Sequence, residues 1–234
     1  SSAVNALSKW MRVEVKRGGA TYAQEYKRGN PKFAVKKLSK KEVNDTYFEK
    51  NFPQIERGTL SIFDPDTKIF STTKFDTKKV KNSLRERAFL VAGLYFHLYD
   101  YRTGEEYHFY FDGGIKSLVK HLNRNKNPLH KVFYCQGREE DLDIPVGAEV
   151  AFQYTDSFSE NIKTFANVIN TSDGGTHLTG FRMALTRAIK SYAINQKMID
   201  EKDNGLRGQD LKEGLTAVVF VKMPASDIQF ESQT

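Results

Sequence analysis

The sequence is poor in the features that mark secreted and membrane proteins. It holds one cysteine, Cys135, in 234 residues. No disulfide can form within the chain, which fits a reducing, cytoplasmic setting. No apolar run approaches the ~20 residues that a bilayer-spanning helix needs. The first ten residues, SSAVNALSKW, have no basic stretch followed by an apolar core, so no secretory signal is expected there. An initiator methionine is also missing, and the expectation is a stretch cut from a longer chain. Internal repeats and low-complexity tracts are absent. So are the GxxxxGK[ST] and GxGxxG phosphate loops and any nucleophile elbow. His97, His108, His121 and His130 show no metal-ligand spacing with one another or with Cys135. These gaps lead to the expectation of no catalytic residue and no metal ligand within the chain.

What is present describes a folded, basic protein. Hydrophobic residues make up 39% and aromatics 12%, enough for one large or two modest cores. Net charge is +7, which favours an anionic partner such as nucleic acid or nucleotide. Lysines cluster in KKLSKK (36–41) and KKVK (78–81), and Lys/Arg recur over 116–131. The first cluster is expected to be a solvated loop.

Periodicity places most of the elements. Ala3–Leu7 reads as the last turn of a helix. Met11, Val13 and Val15 alternate as in a half-buried strand, and Gly18-Gly19 turns the chain into a return strand over Thr21–Tyr26. Residues 27–56 are polar and lack a clear period. Gly58–Phe63 is a short strand. Asp76 is placed to cap a helix carrying Val80, Leu84, Ala88, Phe89 and Leu90. RTGE joins two strands, Leu94–Tyr99 and Glu106–Phe111. Ile115, Leu118, Val119 and Leu122 mark a further helix. Beyond it the pattern predicts strands at 131–135 and 148–154, a connection, helices at 178–195 and 209–213, and a strand at 215–223. LTAVVFVKM is almost continuously apolar, as a central strand covered on both faces requires. Gly113-Gly114 is read as the domain boundary, giving domains 1–113 and 114–234 of α+β type.

Gly174-Gly175 precedes the clearest helix. Leu178, Phe181, Leu185, Ala188, Ile189 and Tyr192 form one apolar stripe, and Arg182, Thr186, Arg187 and Lys190 take other faces. With no lysine in register, the glycine pair is read as a chain reversal before Thr176 and not as a phosphate cradle. His177 is read as a hydrogen-bonded structural residue.

Taken together, eight segments resemble one family: SSAVNALS (1–8), RGTLSIF (57–63), LRERAFL (84–90), RTGEEYHFYFDGGI (102–115), HLNRNKNPLH (121–130), DGGTHLTGFRMALTRA (173–188), LKEGLTAVVFVKMP (211–224) and QFESQT (229–234). They are similar to the ATPase region of the B subunits of bacterial DNA gyrase and topoisomerase IV. The resemblance implies that 1–113 is the C-terminal portion of a GHKL-type ATPase α/β sandwich. It implies that 114–234 is a transducer domain with a ribosomal-protein-like βαβ fold. In such a family ATP binding, with Mg, dimerises two ATPase regions into a gate that captures double-stranded DNA. An A-type subunit completes the heterotetramer.

The resemblance also assigns residues. Ser1, Ser2 and Val4 would lie at a helix start that receives the nucleotide phosphates. Thr59 would help hold the adenine ring and its ordered water. Gln233 would reach the γ-phosphate. Arg17 would stand at the edge of the pocket where coumarin inhibitors dock, and Arg182 would face captured DNA. The general-base glutamate, the magnesium-binding asparagine, the adenine-binding aspartate and the glycine-rich lid correspond to positions upstream of SSAVNALS. The 234 residues alone are therefore expected not to hydrolyse ATP, with most Mg ligands outside them. Two other readings stand beside this one: a free-standing, basic nucleic-acid-binding module, and a mismatch-repair or chaperone GHKL relative. GGTH and EGLTAVV speak against the last.

Overall fold

A computed structural model describes residues 2–141, 145–200 and 206–224. Two compact units form, Ser1–Phe75 and Asp76–Thr234.

The first unit begins with a short helix α1 (Ser2–Ala6), followed by β1 (Ser8–Arg17) and β2 (Ala20–Lys27). Two short strands, β3 (Asn30–Pro31) and β4 (Lys36–Lys37), then helices α2 (Lys40–Asn44) and α3 (Tyr47–Asn51), fill the stretch that showed no period. β5 (Gly58–Pro65) closes the unit. The sheet runs β3-β2-β1-β5, with β4 also on β2, and all pairs are antiparallel.

α2 and α3 are short, and end groups define them. Ser39 caps α2 in a reciprocal box with Glu42, and Thr46 caps α3. A third group comes from far along the chain. Glu14 of β1 is completely buried, and its carboxylate accepts from the backbone N–H of Phe48 at 2.7 Å and of Tyr47 at 3.3 Å. Arg12 Nε donates to the same carboxylate at 2.6 Å. The charge is thus paired and also sits at the positive end of α3, which is the condition for burying a carboxylate.

Glu42 makes an acid-sensitive contact. The Lys36 ammonium, then the Ser39 backbone N–H and hydroxyl, hold its carboxyl down from 4.5 to about 2. A carboxyl depressed in the fold stabilises it fully above the unfolded value, and that stabilisation is lost as pH falls through the folded one. Acidification from about 4.5 towards 2 should therefore open the α2 cap. A carboxyl-carbon NMR titration of Glu42 should place its midpoint near 2, with the α2 amide signals moving in step.

The second unit opens with α4 (Thr77–Leu90), which Asp76 caps as the sequence predicts. A hairpin of β6 (Phe96–Asp100) and β7 (Glu105–Phe109) follows, then α5 (Gly114–Leu122). Arg102 in the hairpin turn holds Asp100 Oδ2 at 2.6 Å, and Thr77 Oγ1 donates to the same oxygen, joining the turn to the start of α4. Next come β8 (Phe133–Glu139), β9 (Val146–Tyr154), β10 (Asn161–Ala166), β11 (Ile169–Asn170), α6 (Thr176–Asn195) and β12 (Leu215–Lys222). The sheet order is β11-β10-β12-β9-β8, with β10 and β12 parallel and the other pairs antiparallel. The β10–α6–β12 crossover is the expected βαβ element.

β12 is the central strand, and alternate residues feed two cores. Leu215, Ala217 and Val219 pack with Phe181 and Leu185 of α6. Val218 and Phe220 pack with Phe89 and Leu90 of α4 and with Ile115, Leu118 and Val119 of α5. Seven successive residues, Leu215–Val221, are buried, as a strand covered on both faces demands.

α4 contributes Phe89 and Leu90 to the second core, so packing groups it with the second unit, a division of contacts distinct from the 113/114 domain boundary. Several expectations for single elements change. The connection before α6 contains a true strand, β10. Residues 209–213 form successive turns instead of a helix: Lys212 N–H bonds to Gln209 C=O and Leu215 N–H to Lys212 C=O. The strand expected at 131–135 begins at Phe133 and runs to Glu139. The α6 stripe is buried only in its first half, because Phe181 and Leu185 sit over the sheet while Ala188 and Tyr192 are exposed.

Candidate functional site

In the first unit the register brings two of the expected residues onto one face. Val15 lies directly opposite Thr59 on β5 and opposite Tyr22 on β2. Directly opposed residues in antiparallel strands share a face, and Arg17 lies two residues on from Val15. Val15, Arg17, Tyr22 and Thr59 therefore share a face, on which Arg17 and Thr59 are exposed. Val15, Arg17 and Tyr22, with Val35, line a cleft of about 570 Å³. This face offers an apolar floor (Val15, Tyr22), a hydroxyl and a cation, which suits a planar, partly polar ligand.

α1 leads into β1 of the same sheet. Ser8 Oγ donates to Val4 C=O at 2.5 Å, and Asn5 Nδ2 donates to Gly29 C=O at 3.4 Å. Ser2 and Val4 are exposed. Ser1 and Gln233 lie outside the described residues.

In the second unit Gly174 and Gly175 adopt φ of +82° and +138°, and α6 starts at Thr176, so the pair makes the expected reversal. His177 Nε2 shares a hydrogen bond with Thr171 Oγ1 at 2.9 Å, and the Thr171 hydroxyl donates to that of Thr164 at 2.7 Å. Burial pushes the His177 pKa down, favouring the neutral ring. It is a structural histidine.

Arg182 Nη2 meets Glu160 Oε2 at 2.6 Å, and the Arg182 side chain is 39% exposed. Its Nε and Glu160 Oε1 are buried without a partner. The guanidinium is thus held in place by one arm while another N–H stays unpaired. Sequence spacing gives no sign of the Glu160 contact, because 22 residues separate the two. Beside α5, Lys116, Lys120 and Lys131 line a cleft of about 700 Å³. Three ammonium groups around one concavity favour phosphate or another anion.

The hairpin gathers groups that looked unrelated along the chain. His97 pairs directly with His108 across the strands, and Glu106 lies next to both. His97 Nε2 is 2.6 Å from Glu106 Oε1, and His108 Nε2 is 3.3 Å from the same oxygen. The only hint in the sequence was the alternation either side of RTGE; the pairing itself depends on where the turn closes.

Comparison with known proteins supplies the context for these faces. The family model described as DNA gyrase B matches residues 114–234. The DNA gyrase B subunit of Haloferax lucentense is 45% identical over 235 residues, covering 100% of this chain and 34% of that protein. The DNA topoisomerase 4 B subunit of Streptococcus pneumoniae is 39% identical, again over 100% of this chain and 34% of its own length. The chain thus spans about a third of the length of the curated relatives it matches. Among solved structures, the 43K ATPase domain of Thermus thermophilus gyrase B in complex with an aminocoumarin superposes with a TM-score of 0.78 at 38% identity. That match covers 97% of this chain and 58% of the other. With more than half its residues matched by the family model and its whole length aligned to gyrase and topoisomerase 4 relatives, this chain belongs to the DNA gyrase B family.

Proposed function

We propose that the chain is the coupling part of a bacterial type II topoisomerase, linking ATP binding and hydrolysis to passage of one DNA duplex through another. The observation that carries this is its membership of the DNA gyrase B family along its whole length. That membership favours it over a free-standing nucleic-acid-binding module. The family model begins at residue 114, which supports 113/114 as the join between ATPase and transducer domains even though packing divides the chain at 75/76.

The nucleotide would lie on the open face of the first unit. Thr59 would present its hydroxyl to the adenine, and Arg17 would stand at the rim. The Thermus thermophilus relative, an ATPase domain in complex with an aminocoumarin, supports a small-molecule site in this region of the family. Ser1, Ser2 and Val4 would line the phosphate end, and Gln233 would hydrogen-bond the γ-phosphate. A neutral amide there can favour the ATP state over the ADP state only by a contact that ADP lacks. When bound, Mg would neutralise phosphate charge, with most of its ligands outside these 234 residues.

DNA contacts would come from the basic second unit. Glu160 holds Arg182 in place, and the exposed part of its guanidinium would meet a phosphate oxygen. Contacts of this kind supply affinity without sequence choice. The working assembly would be a dimer through the ATPase region, joined by an A-type subunit. Work on bacterial DNA implies a cytoplasmic location. Among the described residues no helix is long and apolar enough to cross a membrane.

The test is a graft. These 234 residues replace the matching stretch of Thermus thermophilus gyrase B, which is then combined with its own A-type partner and relaxed plasmid. ATP-dependent supercoiling is expected from the graft, while the 234-residue polypeptide alone should release no phosphate from Mg-ATP above background. A graft that folds and binds DNA without supercoiling, or an isolated chain that turns over ATP, would overturn the reading.

A further inference from the structure

We propose that the β6–β7 hairpin is a binding site for a divalent transition metal of the zinc class, with His97 Nε2, His108 Nε2 and Glu106 Oε1 as its ligands. The site is separate from the residues assigned to nucleotide and DNA, and it stands independently of the proposed function.

The three ligand atoms lie within 4.8 Å of one another. Ligands at the corners of a tetrahedron around zinc, with bonds of about 2.0–2.1 Å, stand roughly 3.3 Å apart. The Glu106–His108 separation of 3.3 Å already meets that spacing. The Glu106–His97 contact of 2.6 Å opens slightly on binding, and the two imidazoles close slightly. All three side chains are about half exposed, at 44%, 47% and 52%, which leaves room for small rotations.

The hairpin holds the set in place. His97 and His108 are a directly opposed pair with rings stacked at 4.6 Å, so the backbone register fixes their separation. Glu106 precedes His108 by two residues on the same strand and so projects from the same face. The outer nitrogen of His108 is also committed: its Nδ1 is 2.5 Å from the Tyr95 hydroxyl. Metal-bound histidines typically use their second nitrogen in this way, which orients the ring and leaves Nε2 to the metal. The other three histidines lack such a neighbourhood. His121 lies tilted against Phe89, His130 accepts from Tyr154 N–H, and His177 shares a hydrogen bond with Thr171.

The donor set selects the metal class. Two imidazoles and one carboxylate suit Zn²⁺, Ni²⁺ or Cu²⁺ and suit Mg²⁺ or Ca²⁺ poorly. Three protein ligands leave a fourth position for water or for a donor from another molecule. Bound metal would tie the two strands together at a point where a two-stranded hairpin is otherwise marginal.

The experiment uses the 234-residue chain without an affinity tag. Zn²⁺ is titrated by calorimetry, and the imidazole NMR signals are followed in parallel. One equivalent of Zn²⁺ should bind, shifting the signals of His97 and His108 and leaving those of His121, His130 and His177 in place. The H97A/H108A variant should lose that equivalent, C135S should keep it, and Tyr95→Phe should weaken it by about tenfold. Far-UV circular dichroism checks that the variants remain folded. Because the NMR arm needs no variant, a folding failure does not blunt the test. No stoichiometric binding, shifts centred on the other histidines, or retention of Zn²⁺ by folded H97A/H108A would each overturn the proposal.

Discussion

Replacing Glu14 by alanine should lower the stability of the first unit by about 3 kcal/mol, since removing one partner of a buried ion pair costs roughly 3–5 kcal/mol. Glu14 is fully buried and holds three donors: Arg12 Nε and the N–H groups of Tyr47 and Phe48. Truncation leaves the α3 N–H groups without an acceptor in a dry site. Arg12 falls back on Glu25, at 3.4 Å. The loss should be read from the emission of Trp10, the only tryptophan, which lies on β1 close to the ring of Tyr47. With a urea slope of about 1–3 kcal/mol/M, the midpoint should fall by at least about 1 M. Glu14→Gln keeps the shape and one acceptor, and should recover part of the loss. Asp64→Ala is the control. Its pair with Lys9, at 3.9 Å, is more than half exposed at both ends and should matter by under about 1 kcal/mol. A Glu14→Ala midpoint within error of the parent would refute this account of α3.

The second large effect is expected at Gly214→Ala. Gly214 has φ of +73°, and a Cβ there would stand 2.3 Å from Thr155 C=O and 3.0 Å from Ser157 C=O. Both are backbone oxygens, so no side chain can swing away. The same residue joins the end of β9 to the start of β12, since its C=O accepts from Thr155 N–H at 3.0 Å and from Thr155 Oγ1 at 3.3 Å. Left-handed backbone costs an L-residue about 1–2 kcal/mol and overpacking a further 1–3, so a loss of roughly 3 kcal/mol is expected. Gly180→Ala makes the contrast. Gly180 lies within α6 with nothing near its missing Cβ, and alanine should stabilise there by about 0.5–1 kcal/mol. Thermal unfolding followed by far-UV circular dichroism should move in opposite directions for the two variants. A neutral Gly214→Ala would mean that β12 can start without this turn.

The contrast between legible and illegible elements follows from where the determining contacts lie. α4, α5, α6 and β12 were legible because their apolar residues repeat at a local period that packing then uses. β10 was not. Its sequence, NIKTFA, mixes Asn161 and Lys163 with Phe165, and it becomes a strand by pairing with β12 some 55 residues later. Lys163 is tolerated there through its 2.5 Å contact with Glu86 of α4. α2 and α3 were hidden because five-residue helices carry little periodicity, and α3 leans on Glu14, more than 30 residues before it. At the site level, Arg17 and Thr59 came from likeness to a family, and the register then gave them a common face. Linear spacing argues against His97 and His108 as ligands and gives no link to Glu106, because a hairpin converts distance along the chain into proximity only after its turn is fixed. Glu160 beside Arg182 was invisible for a similar reason, as it comes from the segment read only as a connection.

The position of β12 has a consequence for how the second unit comes into being on the ribosome. This strand supplies Val218 and Phe220 to one core and Leu215, Ala217 and Val219 to the other, yet it is the last described element of the chain. Every other described helix and strand of the unit emerges before the piece that separates its two layers. Until residues 215–222 clear the exit tunnel, Phe89, Phe165 and Phe181 lack the strand that completes their cores. Completing this unit is then a late step, in which chaperone capture competes with insertion of one strand.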